Sequence, residues 1–246
     1  MRLMEEHENL YEKIQQILGG RPGSLKVLEQ KIDMDLQMEY YECSRKMLAE
    51  VDEDWAMEHA MYLGEPGYSD QVKKEILARL ATIDRVESYR RIEKFLESGD
   101  EPLRDWTLLA LNESRMHLES KLLEENQVFI STGLGGREDK LRYFVVLITQ
   151  NNLEISSIQK KVIKNEFDYI LRKYDAEIEE IRFSEYMAVL LLLLPIQHSL
   201  KAAFQEAIDE CNLYGNFLKG EFIVTNVKTL SFQEIKEYLQ RNEKKD

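Results

Sequence analysis

The chain has 246 residues, of which 43% are apolar and 32% charged, enough for one large core or two modest ones. Four prolines and eleven glycines are too few for a long unstructured linker. The net charge is −13: residues 1–125 hold 17 basic and 28 acidic side chains, and residues 126–246 hold 16 and 18. An acidic surface repels a phosphate backbone, so nucleic acid is not an expected partner.

The first half reads as helix throughout. Leu3, Leu10, Ile14, Ile17 and Leu18 share one face of a helix over 3–18, which Gly19-Gly20 ends. This acidic, amphipathic start lacks the basic and apolar blocks of a secretion signal. A second helix is predicted from an N-cap at Ser24 through Leu25, Leu28, Ile32, Leu36 and Tyr40 toward Leu48. A third starts near Asp52, with the acids of 50–55 complementing its dipole, and carries Trp55, His59 and Tyr62. Ser69-Asp70 opens a fourth with Val72, Ile76, Leu77 and Leu80. Asp84 opens a fifth, with Val86, Tyr89, Ile92, Phe95 and Leu96, closed by Ser98-Gly99-Asp100. Pro102 starts a sixth, with Trp106, Leu109, Ala110, Leu111 and Leu118. Trp55, Trp106, Tyr40, Tyr41 and Tyr89 all fall in apolar stripes and read as core.

The stretch FLESGDEPLRDWTLLALNE joins an apolar helix end, an acidic glycine turn, a proline, an arginine two residues on and a helix of small and apolar residues. DEDWAMEHAMYLGEPG (52–67) is a weaker version of the same ending. Over about residues 50–120 the chain resembles HEAT-type helical repeats. A non-repetitive bundle is the alternative, and in both cases each helix pair must bury its apolar face on a neighbour. The resemblance implies a surface that docks a protein partner. Arg104, Asn112 and Arg115, at helical spacing on the last repeat, are the candidate contacts there.

The second half changes period. QVFIST and LRYFVVLIT are β-rich. Ile155, Ile158, Val162, Phe167, Ile170, Leu171 and Tyr174 then mark an amphipathic helix. IEEIRFSE (178–185) is a half-polar strand, and MAVLLLLLPI (187–196) is a buried one, its apolar run less than half the length that spans a bilayer. A helix from Ser199, a strand at 221–227 and a short helix capped by Ser231 follow. The expected fold class is therefore α+β with two domains: an all-α helical repeat or bundle over 1–125, then a ferredoxin-like βαββαβ sandwich over 126–246 with an extra N-terminal strand and a C-terminal helix. The strands at 141–149 and 187–194 are apolar on both parities and read as central. A sheet with helices on one face leaves such strands half bare, so something must cover the second face: the helical half, the helix at 231–239, a second copy or a ligand.

Between the β-rich runs, STGLGGREDK matches neither glycine-rich phosphate motif and leads into a strand, so it reads as a hairpin turn with Gly135 and Gly136 at positive φ. Gly133, Gly135, Gly136, Arg137 and Lys140 are the candidate ligand or partner contacts of this loop. His7, His59, His117 and His198 have no ligand spacing, and no metal or cofactor is expected. Cys43 and Cys211 read as free thiols of a cytoplasmic chain. No nucleophile has a recognisable partner, so nothing positive argues for catalysis. The leading expectation is a non-catalytic interaction or regulatory protein, cytoplasmic, that docks a protein partner and can form a homodimer, without nucleic acid or membrane. A small-ligand sensor using the α+β half is the alternative, and an enzyme of unrecognised type the third reading.

Overall fold

The computed structural model describes residues 25–49, 52–65, 67–123 and 128–243, so the helix predicted over 3–18 and its neighbour's Ser24 cap lie outside the described residues. The chain is a mixed α+β protein in two compact units, one of residues 25–26 with 32–130 and one of residues 27–31 with 131–243.

The helical unit follows the predicted order with one correction. The second predicted helix does not begin near Ser24. Strand β1 (Leu25–Val27) comes first, pairing with β2 (Val128–Ile130), and helix α1 (Met34–Ala49) starts only after Asp33. The Asp33 carboxylate accepts the N–H groups of Asp35 at 2.9 Å and Leu36 at 3.3 Å, which fixes the helix start there. Leu28 and Ile32 are buried at helical spacing without being helical.

Asp52 caps α2 (Glu53–His59), accepting the Trp55 N–H at 2.9 Å, and Ser69 caps α3 (Asp70–Thr82). Helix α4 (Val86–Glu97) starts after Arg85 without a side-chain cap, and Pro102 lies in a 3-10 turn before α5 (Arg104–Leu123). Helix α3 packs on α1 and α5. Trp106, 2% exposed, donates its indole N–H to the Lys74 carbonyl at 3.0 Å and meets the Tyr40 ring edge-on at 5.1 Å. Of the five aromatic residues read as core, only Tyr40 and Trp106 are buried; Trp55 and Tyr89 are half-buried and Tyr41 is 57% exposed.

In the second unit, β3 (Gly136–Arg137), β4 (Lys140–Thr149), α6 (Ser157–Lys173), β5 (Glu177–Ser184), β6 (Met187–Pro195), α7 (Leu200–Asn212), β7 (Leu218–Thr225) and α8 (Phe232–Glu243) follow in that order. The antiparallel sheet runs β7-β4-β6-β5. The doubly apolar strands β4 and β6 are the central ones, registered from Lys140↔Pro195 to Ile148↔Met187.

Each face of the sheet has its own cover. Leu147 is registered with Phe222, whose ring lies 5.2 Å from Phe204 on α7. Phe204 in turn meets Phe167 of α6 at 5.4 Å, so this parity packs under α6 and α7. The opposite parity, Phe144, Val146, Ile148, Met187 and Val189, packs with Ile235 of α8 and with Leu134. Phe232 and Leu239 flank this cluster. Cover for the second face thus comes from the same chain, through α8 and the glycine loop.

The hairpin is smaller than predicted. β2 does not pair with β4. The partner is β3, through Gly136↔Leu141 and Arg137↔Lys140, with Glu138 (φ 55°) and Asp139 at the tip. β3 occupies only the start of β4, whereas β7 takes Phe144 to Thr149, so the two do not compete for that edge. Gly135 has positive φ (65°) and Gly136 does not.

Among the described residues, no helix is long and apolar enough to cross a membrane. Cys43 and Cys211 are free, and burial pushes the Cys211 thiol up to about 12.

Candidate functional site

The residues singled out in the glycine loop are held by the fold itself. A Cβ on Gly133 would lie 1.9 Å from the Val227 carbonyl oxygen, and one on Gly135 2.5 Å from the Gln30 carbonyl oxygen. A Cβ on Gly136 would lie 2.2 Å from the Lys140 carbonyl oxygen. The backbone is packed against backbone, which leaves no cradle for a ligand. Arg137 pairs with Glu177. Lys140 is buried and reaches Glu177 at 2.9 Å and Asp175 at 3.1 Å. Neighbouring Arg142 grips Glu179 through two nitrogens at 2.6 and 2.9 Å, which holds that carboxyl below its ordinary pKa.

On α5, Arg104 is exposed, Asn112 donates to the Leu108 carbonyl at 2.8 Å, and Arg115 reaches the Tyr89 hydroxyl at 3.2 Å. Arg104 and Arg115 are eleven residues apart, about 16 Å along the helix, so they do not converge on one ligand.

The opposite end of the sheet has a different character. β4 runs from Lys140 to Thr149, about 30 Å at strand rise. At its far end the Thr149 N–H donates to the Tyr186 carbonyl at 3.0 Å and the Gln150 N–H to the Phe217 carbonyl at 2.8 Å. The chain then passes through Asn151 and Asn152, both at φ 54°. The Ile155 N–H donates to the Glu185 carbonyl at 2.9 Å, tying the approach to α6 onto the β5–β6 turn. Ser156 and Gln159 close a capping box there, with bonds of 2.9 and 3.3 Å.

The helix that starts at this box is unusual for this chain. Between Ser157 and Lys173 it carries five basic and two acidic side chains, a net +3 within a protein of −13. Lys160, Lys161 and Lys164 form no ion pair or side-chain hydrogen bond among the described residues. The Nζ atoms of Lys160 and Lys164 lie 5.9 and 5.7 Å from the Phe183 ring centre on edge strand β5. Further along the exposed side, Tyr169 is 64% exposed with Lys173 Nζ 4.9 Å from its ring, and Ile158 stands 73% exposed near the helix start. Cations, an aromatic ring and an aliphatic side chain are thus spread around the solvent side of one helix, with half-buried Lys160 at its margin, and such groups can hold phosphates and stack against bases or other planar groups.

The helical unit offers a weaker alternative. An open groove of about 580 Å3 over Leu63 and Phe95 presents Arg90, Arg91 and Lys94. There α4 carries three basic and three acidic residues, and Arg90 is paired with Glu93. Among the described residues, no group of three or more His, Cys, Asp or Glu side chains could hold a metal ion.

None of the residues at this sheet end was singled out from sequence. Lys160, Lys161 and Lys164 stand in the sequence as a basic run on the amphipathic helix, the signal that could have pointed to them. Other cations among the described residues, such as Arg91 and Lys94, also lack a carboxylate partner; what sets this trio apart is that three such lysines fall within five residues of one helix whose net charge is positive.

No protein-family model matches the chain, and no curated protein is similar enough to count as a match. Several solved structures are similar in part. One is "a putative transposase" from Deinococcus radiodurans R1, at 16% identity and TM-score 0.36, covering 42% of this chain and 90% of that one. Another is a REP-associated tyrosine transposase bound to a REP hairpin, at 10% identity and TM-score 0.32, covering 39% of this chain and 61% of that one. Both stand against the expectation of a HEAT-like, non-catalytic protein-docking module that has a protein partner and no nucleic acid, and that expectation is withdrawn. At these scores and identities the two structures assign this chain neither a family nor an activity.

Proposed function

We propose that the α+β unit binds a nucleic-acid strand along the exposed face of α6. The observation that carries this reading is the trio Lys160, Lys161 and Lys164, which have no carboxylate partner among the described residues of a chain whose 46 acidic residues outnumber its 33 basic ones. Unpaired lysines keep their charge available for phosphates, whereas a paired lysine must first give up its partner. Tyr169 and Ile158 supply the surface on which bases can pack. The net charge of −13 opposes the approach of any polyanion, so the contact is short and strongly dependent on salt. We read the unit's plan as ferredoxin-like, supported by the strand order β7-β4-β6-β5 and by two crossover helices on one face.

The test is fluorescence anisotropy with labelled single-stranded and hairpin DNA across a salt series. Three phosphate contacts predict that replacing the three lysines by glutamine flattens the plot of log K against log salt by about 2. An unchanged slope in the triple variant, or no binding by the wild type at low salt, refutes the reading.

A further inference from the structure

A small cavity lies at the same end of the sheet, on the face covered by α8. It measures about 150 Å3 and is lined by Ile148, Asn152, Tyr186, Lys219, Lys236, Leu239 and Gln240. Two of these residues are cations, three are neutral hydrogen-bonding side chains, and none is a carboxylate. Lys219 Nζ donates to the Asn152 side-chain oxygen at 3.3 Å, and Lys236 Nζ to Glu185 at 2.9 Å. Glu185, more than half exposed, lies outside the lining. The wall is built from β4, the turn that follows it at Asn152, the β5–β6 turn, β7 and α8, five segments that only the folded sheet brings together.

Pockets for drug-sized ligands start at about 300 Å3, so the occupant here is small. Two ammonium groups with amide and phenol donors suit a compact oxyanion that accepts on several sides. Asn152 and Glu185 add an independent mark. Both hold positive φ, at 54° and 49°, without being glycine, and both position a pocket lysine.

We propose that this cavity is a binding site for a phosphoryl group, with Lys219 and Lys236 as its cationic clamp, Lys236 exchanging the half-exposed Glu185 for the incoming oxyanion, and with Asn152, Tyr186 and Gln240 as neutral donors. The inference is independent of the strand-binding reading, since it uses none of the α6 lysines. The phosphoryl group has two possible sources: a free phosphate or nucleotide, and the terminal phosphate of a nucleic-acid strand.

The experiment is thermal unfolding of the full chain with inorganic phosphate, with adenosine monophosphate and with chloride at matched ionic strength, beside anisotropy with 5′-phosphorylated and unphosphorylated oligonucleotides. Phosphate raises the midpoint above the chloride control, and Lys219→Gln and Lys236→Gln each weaken binding about tenfold. Asn152→Gly keeps the fold, relieves the backbone and abolishes most of the phosphate-dependent shift. The triple α6 variant keeps the shift in full, so failure of the strand-binding reading leaves this result standing. A shift from free phosphate alone assigns the site to a small ligand, and a preference for the phosphorylated oligonucleotide assigns it to a strand end. Equal midpoints in phosphate and chloride together with equal affinity for the two oligonucleotides, or a full shift in the Lys219→Gln/Lys236→Gln double variant, overturn the proposal.

Discussion

Gly133 shows how a single residue can be fixed by segments far away in the chain. Its missing side chain leaves room for the Val227 carbonyl, and the Leu134 N–H donates to the Asn226 carbonyl at 2.9 Å beside it. Gly133→Ala forces the loop off the segment after β7 and costs about 3 kcal/mol, read as a lowered urea midpoint with secondary structure retained. A loss below about 1 kcal/mol would show that the loop can step aside. The cluster of glycines was legible in STGLGGREDK, but its reason was not, because Val227 and Gln30 are about a hundred residues away on either side. Asn151 and Asn152 are a similar case: asparagine is among the residues that tolerate φ near +54°, at about 1–3 kcal/mol each, yet only the folded sheet end shows why the chain must turn there.

At the level of elements, α8 matters most. Ile235 is fully buried against the second face of the sheet, and Ile235→Ala removes about 2–5 kcal/mol, measured by chemical denaturation. A cost below about 1 kcal/mol would mean that α8 rests loosely on that face. The helix begins on a reciprocal cap in which the Ser231 N–H donates to Glu234 at 2.8 Å and the Glu234 N–H to the Ser231 hydroxyl at 3.2 Å. The Ser231 backbone bond, then Lys228 and the Ser231 hydroxyl, hold the Glu234 carboxyl down to about 2. A lowered carboxylate stabilises the folded state above its unfolded pKa of about 4.3, and that contribution fades as pH falls toward about 2. The melting difference between wild type and Glu234→Gln is therefore present at neutral pH and closes across that acid window. A difference that stays constant with pH would assign the effect to packing instead.

The need for α8 was readable from sequence, since two central strands apolar on both parities demand cover on both faces. The identity of the cover was not, because the helix at 231–239 was one of four candidates. β2 was misplaced as a hairpin strand because QVFIST carries strand propensity without a partner address, and only the fold shows that it pairs with β1.

Taken whole, the molecule pairs many of its cations with carboxylates, from Arg137 with Glu177 at one end of the sheet to Lys173 with Glu206 on the helices. Net charge alone argued against nucleic acid, yet an average over 246 residues hides a helix of opposite sign. Sequence does show that α6 is basic. It cannot show that three of its lysines lack partners among the described residues, since pairing is decided by β5, β6 and α7 across the fold.

The placement of α8 also bears on how the protein is made. Ribosomes release the chain in order, so every strand of the sheet emerges before Ile235 does. Until then Phe144, Val146, Ile148, Met187 and Val189 stay uncovered on one side, a greasy surface on a nascent polypeptide. Translation that stalls or terminates between Thr225 and Ile235 would yield a product with its strands complete and its oil showing, a natural client for chaperones and proteases.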